Sequence, residues 1–284
     1  MPPLQGRPAL SITVLGSGTC TPSARRGPAA YLVRAGAGRY LMDCGSGTVQ
    51  RLAHIGVLVH DLDAIFLTHL HLDHSGDLFN ILFSLRNSGG LKREGDVRIF
   101  GPPGLIPHYE HLRALYGRWV ECEDYAIVPQ ELGGDEQAVR FGALTVAAHR
   151  VRHSAVAVGY RFTLKDEIGP RSLAFTGDAD EGADLHALLA GVDLALMDCS
   201  TLDESKIPGH MSAGIAGRVA RDAAPGRVVL THFYPGLSGD PSPAVRQVRG
   251  LSGRPTEAAW DGAVYDVDPV GAAAPSDPTP GGEG

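Results

Sequence analysis

The chain has 284 residues, of which 43% are hydrophobic and 20% are charged, a composition typical of a globular protein with a large core. Its formal net charge of −7 offers no general basic field for counterion-releasing contacts with phosphate backbones, which makes a long nucleic acid a poor default partner. No apolar run of about 18 residues and no signal-peptide pattern occurs, so we expect no membrane span, no secretory signal and a cytoplasmic location.

The four cysteines are scattered along the chain, and none of them forms a CxxC pair. This spacing excludes a zinc ribbon and is too sparse for a disulfide framework. We therefore expect all four to be reduced, namely Cys20, Cys44, Cys122 and Cys199.

Short β-prone apolar runs recur along the chain and end in polar residues, which is typical of buried strands in a sheet covered on both faces. In chain order they read LSITVLG, GRYLMDC, LDAIFLT, DVRIFG, LTVAAHRV, SLAFTG, DLALMD and RVVLT. Helical patterns lie between them in DLFNILFSLR, DLHALLAGV and SAGIAGRVARDA. We predict an α/β fold in a single domain over residues 10–267. The tail, residues 268–284, is rich in Pro, Gly and Ala and is expected to be disordered.

Several predicted strands deliver a histidine or an aspartate at or near their C-terminal ends. These residues are His69 after AIFLT, His153 after LTVAAHRVR, Asp178 after LAFTG and His232 after VVLT. Ligands of open α/β sheets gather at the carboxyl ends of the strands. We therefore expect these residues, which are distant in sequence, to converge on one site at that edge.

The segment FLTHLHLDHSGD, residues 66–77, concentrates histidines and aspartates directly after an apolar run. On an extended backbone His69 and His71 project to the same side, whereas Asp73 and His74 fall beyond a turn and can face a second point. Imidazole favours zinc and its neighbours, and a carboxylate adds a hard oxygen that can bridge two ions. Because burying so many polar groups without a metal is costly, the cluster predicts a site for two ions.

Two donor sets joined by one carboxylate complete the predicted dinuclear centre. The expected ligands are His69, His71 and His153 on one ion, Asp73, His74 and His232 on the other, and Asp178 spanning both. Two such ions, typically about 3.5–4 Å apart, generate a hydroxide at neutral pH and stabilise the charge of a displacement at an ester centre. Isolated histidines such as His186 receive no ligand role. His149, four residues before His153, is assigned to the surface or to contacts behind the ligands.

The order of these motifs resembles the metallo-β-lactamase superfamily, and within it the ribonuclease Z and phosphodiesterase-like branch. VLGSGTCTPSARRGPAAYLV is similar to the opening of that branch, LMDCGSGT to its second motif and THLHLDHSGDL to its metal signature. RHSAVAVGYRF fits its third-histidine motif at His153, while FTGDA and LTHFYP match the segments of the bridging aspartate and the last histidine. The resemblance implies an αβ/βα sandwich, with two mixed β-sheets face to face and helices outside. It also implies a hydrolase with two divalent metal ions, with Zn²⁺ expected and Mn²⁺ or iron as alternatives.

A further motif, GHMSAGIAGRVARDA, is similar to the His-Ser-Thr motif of the same branch, whose histidine approaches the scissile phosphate. The matching residue is His210, which the resemblance implies acts on the substrate; the alternative is a helix cap. Asp73 and His210 are the predicted catalytic residues. The acidic partner that the branch gives this histidine falls on Cys199 in MDCST, with Asp198 one residue earlier. Whether His210 has a carboxylate partner therefore stays open at this point.

Ribonuclease Z usually carries a long basic arm for tRNA between the third-histidine motif and the bridging aspartate. Here the interval from His153 to Asp178 is 25 residues, enough for two strands and a turn. We therefore predict a phosphodiesterase whose partner is a small or cyclic phosphodiester. The alternatives are a ribonuclease Z-type tRNA 3′ endonuclease, or a lactonase or aryl-sulfatase of the same fold. Proteins of this branch often dimerise, and the sequence leaves a homodimer open.

Overall fold

The computed structural model describes residues 10–268 apart from 88, 92, 94, 134 and 168. Within this part of the chain, two β-sheets pack face to face and helices cover their outer faces. This arrangement confirms the predicted α/β sandwich of two mixed sheets. Of the predicted tail, residues 269–284 lie outside the described residues.

The first sheet contains seven strands within the described residues. In chain order they are β1 (Leu10–Gly16), β2 (Ala30–Ala35), β3 (Gly38–Cys44), β4 (Ala64–Phe66), β5 (Val97–Gly101), β6 (Ile127–Glu131) and β14 (Val264–Asp266). Their spatial order is β14-β1-β2-β3-β4-β5-β6. The pairs from β14 to β3 are antiparallel and those from β3 to β6 are parallel. The strands β3 and β4 therefore end at the same edge.

The second sheet also contains seven strands in the described part of the chain. They are β7 (Asp135–Phe141), β8 (Leu144–Val151), β9 (Ala157–Asp166), β10 (Gly169–Phe175), β11 (Leu194–Asp198), β12 (Arg227–Thr231) and β13 (Thr256–Ala258). They pair in the order β13-β12-β11-β10-β9-β8-β7, antiparallel from β7 to β10 and parallel from β10 to β13. Because β8 and β10 both run against β9, the strands β8, β10, β11 and β12 all end at one edge.

The helices occupy connections between the strands. In chain order they are α1 (Thr48–His54), α2 (Leu72–Ser75), α3 (Leu78–Arg86), α4 (Leu105–Tyr116), α5 (Ala183–Leu189), α6 (Ala213–Ala223), α7 (Pro235–Ser238) and α8 (Ser242–Ser252), with 3₁₀ turns at Val59–Asp61, Gly117–Val120 and Asp203–Ser205. The helices α3, α5 and α6 form in the three segments whose apolar spacing predicted them, and each buries one apolar face. None of the helices in the described residues is long and apolar enough to cross a bilayer.

An apolar layer with several aromatic rings fills the space between the two sheets. Phe66 of β4 contacts Tyr160 of β9 edge-on, with ring centroids 5.2 Å apart. Two buried hydrogen bonds also join the sheets: Tyr160 donates to the carbonyl of Leu67, and the hydroxyls of Tyr31 and Thr231 lie 2.8 Å apart. These bonds fix the ends of β4 and β12, which precede two of the predicted ligands.

Candidate metal centre

The predicted metal ligands lie at one edge of the sandwich, on loops that follow strands of both sheets. His69 and His71 follow β4, Asp73 and His74 lie on α2, His153 follows β8, Asp178 follows β10, and His232 follows β12. The short helix α2 begins directly after His71, so the change from extended to helical backbone turns the second pair of ligands away from the first. The structure brings all seven residues together.

The first donor set consists of His69, His71 and His153. The Nδ1 atom of His71 lies 3.0 Å from Nε2 of His69 and 3.3 Å from Nε2 of His153. One nitrogen of each ring therefore faces a common point, and the three atoms lie within 4.8 Å of one another. Three imidazole nitrogens around one point are a donor set typical of zinc.

The second donor set consists of Asp73, His74 and His232. The Nε2 atoms of the two histidines lie 3.3 Å apart. The Oδ2 atom of Asp73 lies 3.5 Å from Nε2 of His232 and 3.9 Å from Nε2 of His74. Two imidazoles and a carboxylate therefore face a second common point.

Asp178 lies between the two donor sets and turns one oxygen toward each. Its Oδ1 atom is 3.2 Å from Nε2 of His74 and 3.3 Å from Nε2 of His232. Its Oδ2 atom is 3.7 Å from Nε2 of His69 and 4.0 Å from Nε2 of His153. The Oδ1 atom is buried and has no hydrogen-bond partner among the described residues. A buried carboxylate in this position has the geometry of a bridging ligand.

Asp43 and Thr68 fix the orientation of two of these histidine rings. Asp43 Oδ2 accepts a hydrogen bond from Nδ1 of His74 over 2.7 Å. Thr68 Oγ1 donates to Asp43 and therefore accepts from Nδ1 of His69, which lies 3.0 Å away. Both rings consequently carry their proton on Nδ1, and their Nε2 lone pairs face the site.

Two further acceptors fix His153 and His232 in the same way. The carbonyl of Gly209 accepts from Nδ1 of His153 over 2.8 Å. Ser200 Oγ donates to Asp198 over 2.7 Å and therefore accepts from Nδ1 of His232 at 3.2 Å. These rings too present unprotonated Nε2 atoms to the site.

This pattern of protons is what a pair of cations requires. When both rings are neutral, the Nε2 atoms of His74 and His232 are hydrogen-bond acceptors that face each other and a buried carboxylate oxygen. Acceptors at such distances repel unless a positive charge lies between them. Burial also lowers the pKa of His69 and of His153, which favours the neutral imidazole that binds metal. For His74 the carboxylates of Asp178 and Asp43 outweigh burial and raise the pKa, so a cation at this point would compete with a proton. The residues present therefore fit divalent ions.

Comparisons with known proteins agree with this geometry. Residues 38–233 match the protein family described as Beta-lactamase superfamily domain. Ribonuclease Z from Mycobacterium sp. (strain KMS) is 30% identical, over 81% of this chain and 86% of that protein. The chain belongs to the β-lactamase superfamily. Within it, the chain is a metal-dependent hydrolase of the ribonuclease Z-like branch, as its motifs predicted.

Solved structures of superfamily proteins share this fold. The metallo-β-lactamase fold protein YhfI from Bacillus subtilis gives a TM-score of 0.75 at 22% identity, covering 90% of this chain and 98% of that one. Human tRNase Z, short form, gives a TM-score of 0.71 at 24% identity, covering 91% and 99% respectively. At these identities the likeness shows the sandwich fold alone.

Asp43 was not singled out by the sequence analysis, although it lies in the motif LMDCGSGT that resembles the superfamily. Its carboxylate is fully buried and binds both Thr68 and His74. Its φ of +53° lies in the left-handed region, which Asp adopts more readily than most residues. An acidic residue that ends an apolar strand just before glycines was the signal that could have identified it.

His210 has a carboxylate partner, which the sequence left open. The Nδ1 atom of His210 lies 3.1 Å from Oδ2 of Asp198, and both side chains are buried. Burial disfavours the charged form of His210, but the hydrogen bond to Asp198 and the negative charges of Asp198 and Asp178 together outweigh it and raise the pKa of the imidazole. The His210 ring lies parallel to the ring of His232, with centroids 5.2 Å apart. Its ring centroid is also 5.0 Å from that of His153, so His210 lies against both donor sets.

Asp198 and His210, together with Asp178 and His232, form a further cluster that could hold a metal. Both oxygens of Asp198 already accept hydrogen bonds, Oδ1 from Ser200 and Oδ2 from His210 and a backbone N–H. These hydrogen bonds orient His210 and engage both oxygens of Asp198, which disfavours a further role as a metal ligand. We therefore assign Asp198 to the positioning of His210.

Of the two placements predicted for His149, the surface and contacts behind the ligands, the surface is wrong. This residue is buried in β8 opposite Gly159 of β9. Leu144, Val146 and Ala148 face the layer between the sheets, so alternation places His149 on the opposite face, where α5 packs against β8. Among the described residues it joins none of the clusters that could hold a metal.

Replacing Gly209 with alanine should weaken the binding of divalent metal. Gly209 has a φ of +86°, and an added Cβ would lie 3.2 Å from Nδ1 of His153, the atom that the Gly209 carbonyl orients. Residues that orient metal ligands typically change metal affinity by about 10- to 100-fold. We expect a loss in this range, measured by competition with a chelator.

The control is Gly142→Ala. Gly142 has a φ of +58° with nothing within 4 Å of an added Cβ, so the substitution carries the same left-handed strain of roughly 1–2 kcal/mol without touching a ligand. Equal losses of metal affinity in the two variants would contradict a specific role for the Gly209 carbonyl.

Proposed function

We propose that the protein is a dinuclear phosphodiesterase, with zinc as the expected metal, that acts on small or cyclic phosphodiesters. The proposed ligands are His69, His71 and His153 for one ion, Asp73, His74 and His232 for the other, and Asp178 between them. The observation that carries the proposal is the position of Asp178, whose two buried oxygens face the two donor sets separately. Its imidazole-rich surroundings favour zinc, with Mn²⁺ or iron as alternatives.

The chemistry of the site divides between the ions and the side chains. When bound, two divalent ions lower the pKa of a water molecule and neutralise charge that develops on a transferred phosphoryl group. Asp178 is almost completely enclosed, whereas the side chain of Asp73 is 11% exposed. Asp73 is therefore the carboxylate of the site that can reach a water from the substrate side and accept its proton.

His210 is proposed to act on the substrate and not on the metal. Its Nδ1 atom is bound by Asp198, which leaves Nε2 as the nitrogen that can donate. That proton can protonate the leaving oxygen or hold a phosphate oxygen. The Asp198 carboxylate fixes the ring orientation that either role requires, as the acid of a histidine–carboxylate pair does elsewhere.

The surroundings of the site favour a small substrate. Among the described residues between His153 and Asp178, the chain forms β9, a turn and β10, and this interval of 25 residues is too short for a separate arm that binds nucleic acid. Leu72 and Val156, which are 74% and 58% exposed, lie beside the ligands in the chain. The ammonium of Lys206, which precedes His210 in the chain, is bound by Asp180 and is therefore not free to contact further phosphates of a long nucleic acid. These features suit a single phosphodiester with an apolar substituent.

A tRNA 3′ endonuclease is the second candidate, because the relatives named ribonuclease Z align over most of this chain. We expect a substrate panel, measured as kcat/KM with zinc controlled, to rank bis-aryl and cyclic phosphodiesters above lactones, aryl sulfates and tRNA precursors. Cleavage of tRNA precursors above every small diester, with binding that falls steeply as salt rises, would favour the endonuclease. Faster turnover of lactones or aryl sulfates would reject a phosphodiesterase.

Metal analysis tests the dinuclear centre. Wild-type protein expressed with ample zinc should hold two ions per chain, and His71→Ala should lose about one of them because the first donor set loses its central nitrogen. Turnover should be lost with the metal. The control is His186→Ala on the exposed side of α5. This variant should retain two ions per chain and normal turnover. A wild-type content far below two ions would contradict the proposal.

Replacing His210 with alanine tests its role on the substrate. We expect metal content and thermal stability to stay near wild type while kcat falls by about 10²–10⁴, the range for a positioned acid or base. The loss should be smaller for a nitrophenyl diester, whose leaving group needs little protonation, than for an alkyl diester. Near-normal turnover of the alkyl diester would reject the proton-donor role and favour the alternative, in which His210 only caps the start of α6.

A further inference from the structure

The connection between β11 and α6 supplies two separate groups to the site from neighbouring residues. The Gly209 carbonyl orients His153, a member of the first donor set. His210 follows it in the chain and lies against the second donor set. We call residues 206–210 the site loop. A small displacement of the site loop would therefore disturb a metal ligand and the substrate-facing histidine at the same time.

Asp180 is the side chain that anchors the site loop. Its Oδ2 atom accepts hydrogen bonds from Nζ of Lys206 over 2.9 Å and from the backbone N–H of Gly209 over 3.1 Å. Lys206 Nζ also donates to the carbonyl of Ile207 over 2.8 Å. One carboxylate oxygen and one ammonium thus hold both ends of the loop. Partial burial opposes ionisation of Asp180, but the bonds from Lys206 and two backbone N–H groups outweigh it and lower its pKa.

The backbone of Asp180 is itself tied to the ligand-bearing chain. Its N–H donates to the carbonyl of Arg152 over 2.7 Å, directly before His153. Asp180 also follows Asp178 by two residues. It therefore joins the segments that carry the bridging carboxylate, a ligand of the first donor set and the site loop.

We propose that Asp180 is a positioning residue that, through Lys206 and the Gly209 N–H, sets the place of the site loop and so controls both the orientation of His153 and the position of His210. This proposal rests on the proposed function for the role of His210. The hold on His153 depends only on the metal site. A substitution at Asp180 should therefore both weaken metal binding at His153 and misplace His210. A substitution of one metal ligand or of His210 alone should not produce both effects.

The test compares Asp180→Asn with the control Glu181→Gln. The neighbouring Glu181 side chain is exposed and contacts Arg218, away from the site loop. We expect Asp180→Asn to retain its thermal midpoint within a few degrees, to bind zinc about 10-fold or more weakly in chelator competition, and to lose kcat about 10- to 100-fold on an alkyl diester. The loss on a nitrophenyl diester should be clearly smaller, as for a misplaced proton donor. Glu181→Gln should match wild type in every measurement.

Lys206→Met supplies an independent variant, because it removes the ammonium but keeps the bond from Asp180 to the Gly209 N–H. It should show the same pattern at a smaller magnitude, and the double variant should lose little more than Asp180→Asn alone, since both substitutions act through one contact. Asp180→Glu, which retains the charge, should recover part of the zinc affinity.

Two results would overturn the proposal. One is zinc affinity and leaving-group dependence in Asp180→Asn equal to those of Glu181→Gln. If Asp180→Asn fails to fold, Lys206→Met takes its place in the test. The proposal is then overturned if Lys206→Met has the same zinc affinity and leaving-group dependence as Glu181→Gln. If the wild-type protein turns over no phosphodiester, the proposed function fails, while the zinc affinities still decide whether Asp180 governs His153.

Discussion

The rest of the site depends on one constraint, the burial of the Asp178 carboxylate among imidazole nitrogens that, in the neutral rings, cannot donate to it. Each Nε2 atom around Asp178 belongs to a ring whose proton lies on Nδ1 and is bound elsewhere. An ionised carboxylate without donors is costly to bury unless cations lie beside it. The outer acceptors, such as Asp43 and the Gly209 carbonyl, therefore do more than hold rings in place. By holding the proton on Nδ1, they leave the Nε2 lone pairs of the neutral rings free to bind metal.

The strand directions explain how two sheets meet this constraint together. In the first sheet the parallel strands β3 and β4 deliver Asp43 and His69 to one edge. In the second sheet β8, β10 and β12 share one direction and deliver His153, Asp178 and His232. The aromatic layer and the tyrosine hydrogen bonds between the sheets then fix the two edges relative to each other. The donor distances consequently depend on packing far from the metal.

How much the sequence could predict follows from the range of each interaction. The cluster around His69 and His71 is local, and the residues after β10 and β12 follow from strand direction, so both were visible as patterns. The short strands β13 and β14 have three residues each, too few to show alternation. The hydrogen bond between Asp43 and His74 joins residues 31 positions apart in the chain, so no local spacing pattern in the sequence could predict it. His149 was misplaced because a histidine on the helix-covered face of β8 resembles a surface residue in sequence.

The pairing of Asp198 with His210 shows why position in a strand matters more than alignment to a motif. Cys199, at the position where the branch has its acidic residue, points into the apolar layer beneath α6, where a carboxylate would be buried without donors. Asp198 ends β11 on the opposite face, and there Ser200 and His210 supply its hydrogen bonds. Ser200 in turn accepts from His232. One carboxylate therefore orients His210 and, through a single hydroxyl, His232 of the second donor set, so the positions of both imidazoles are set by the same group.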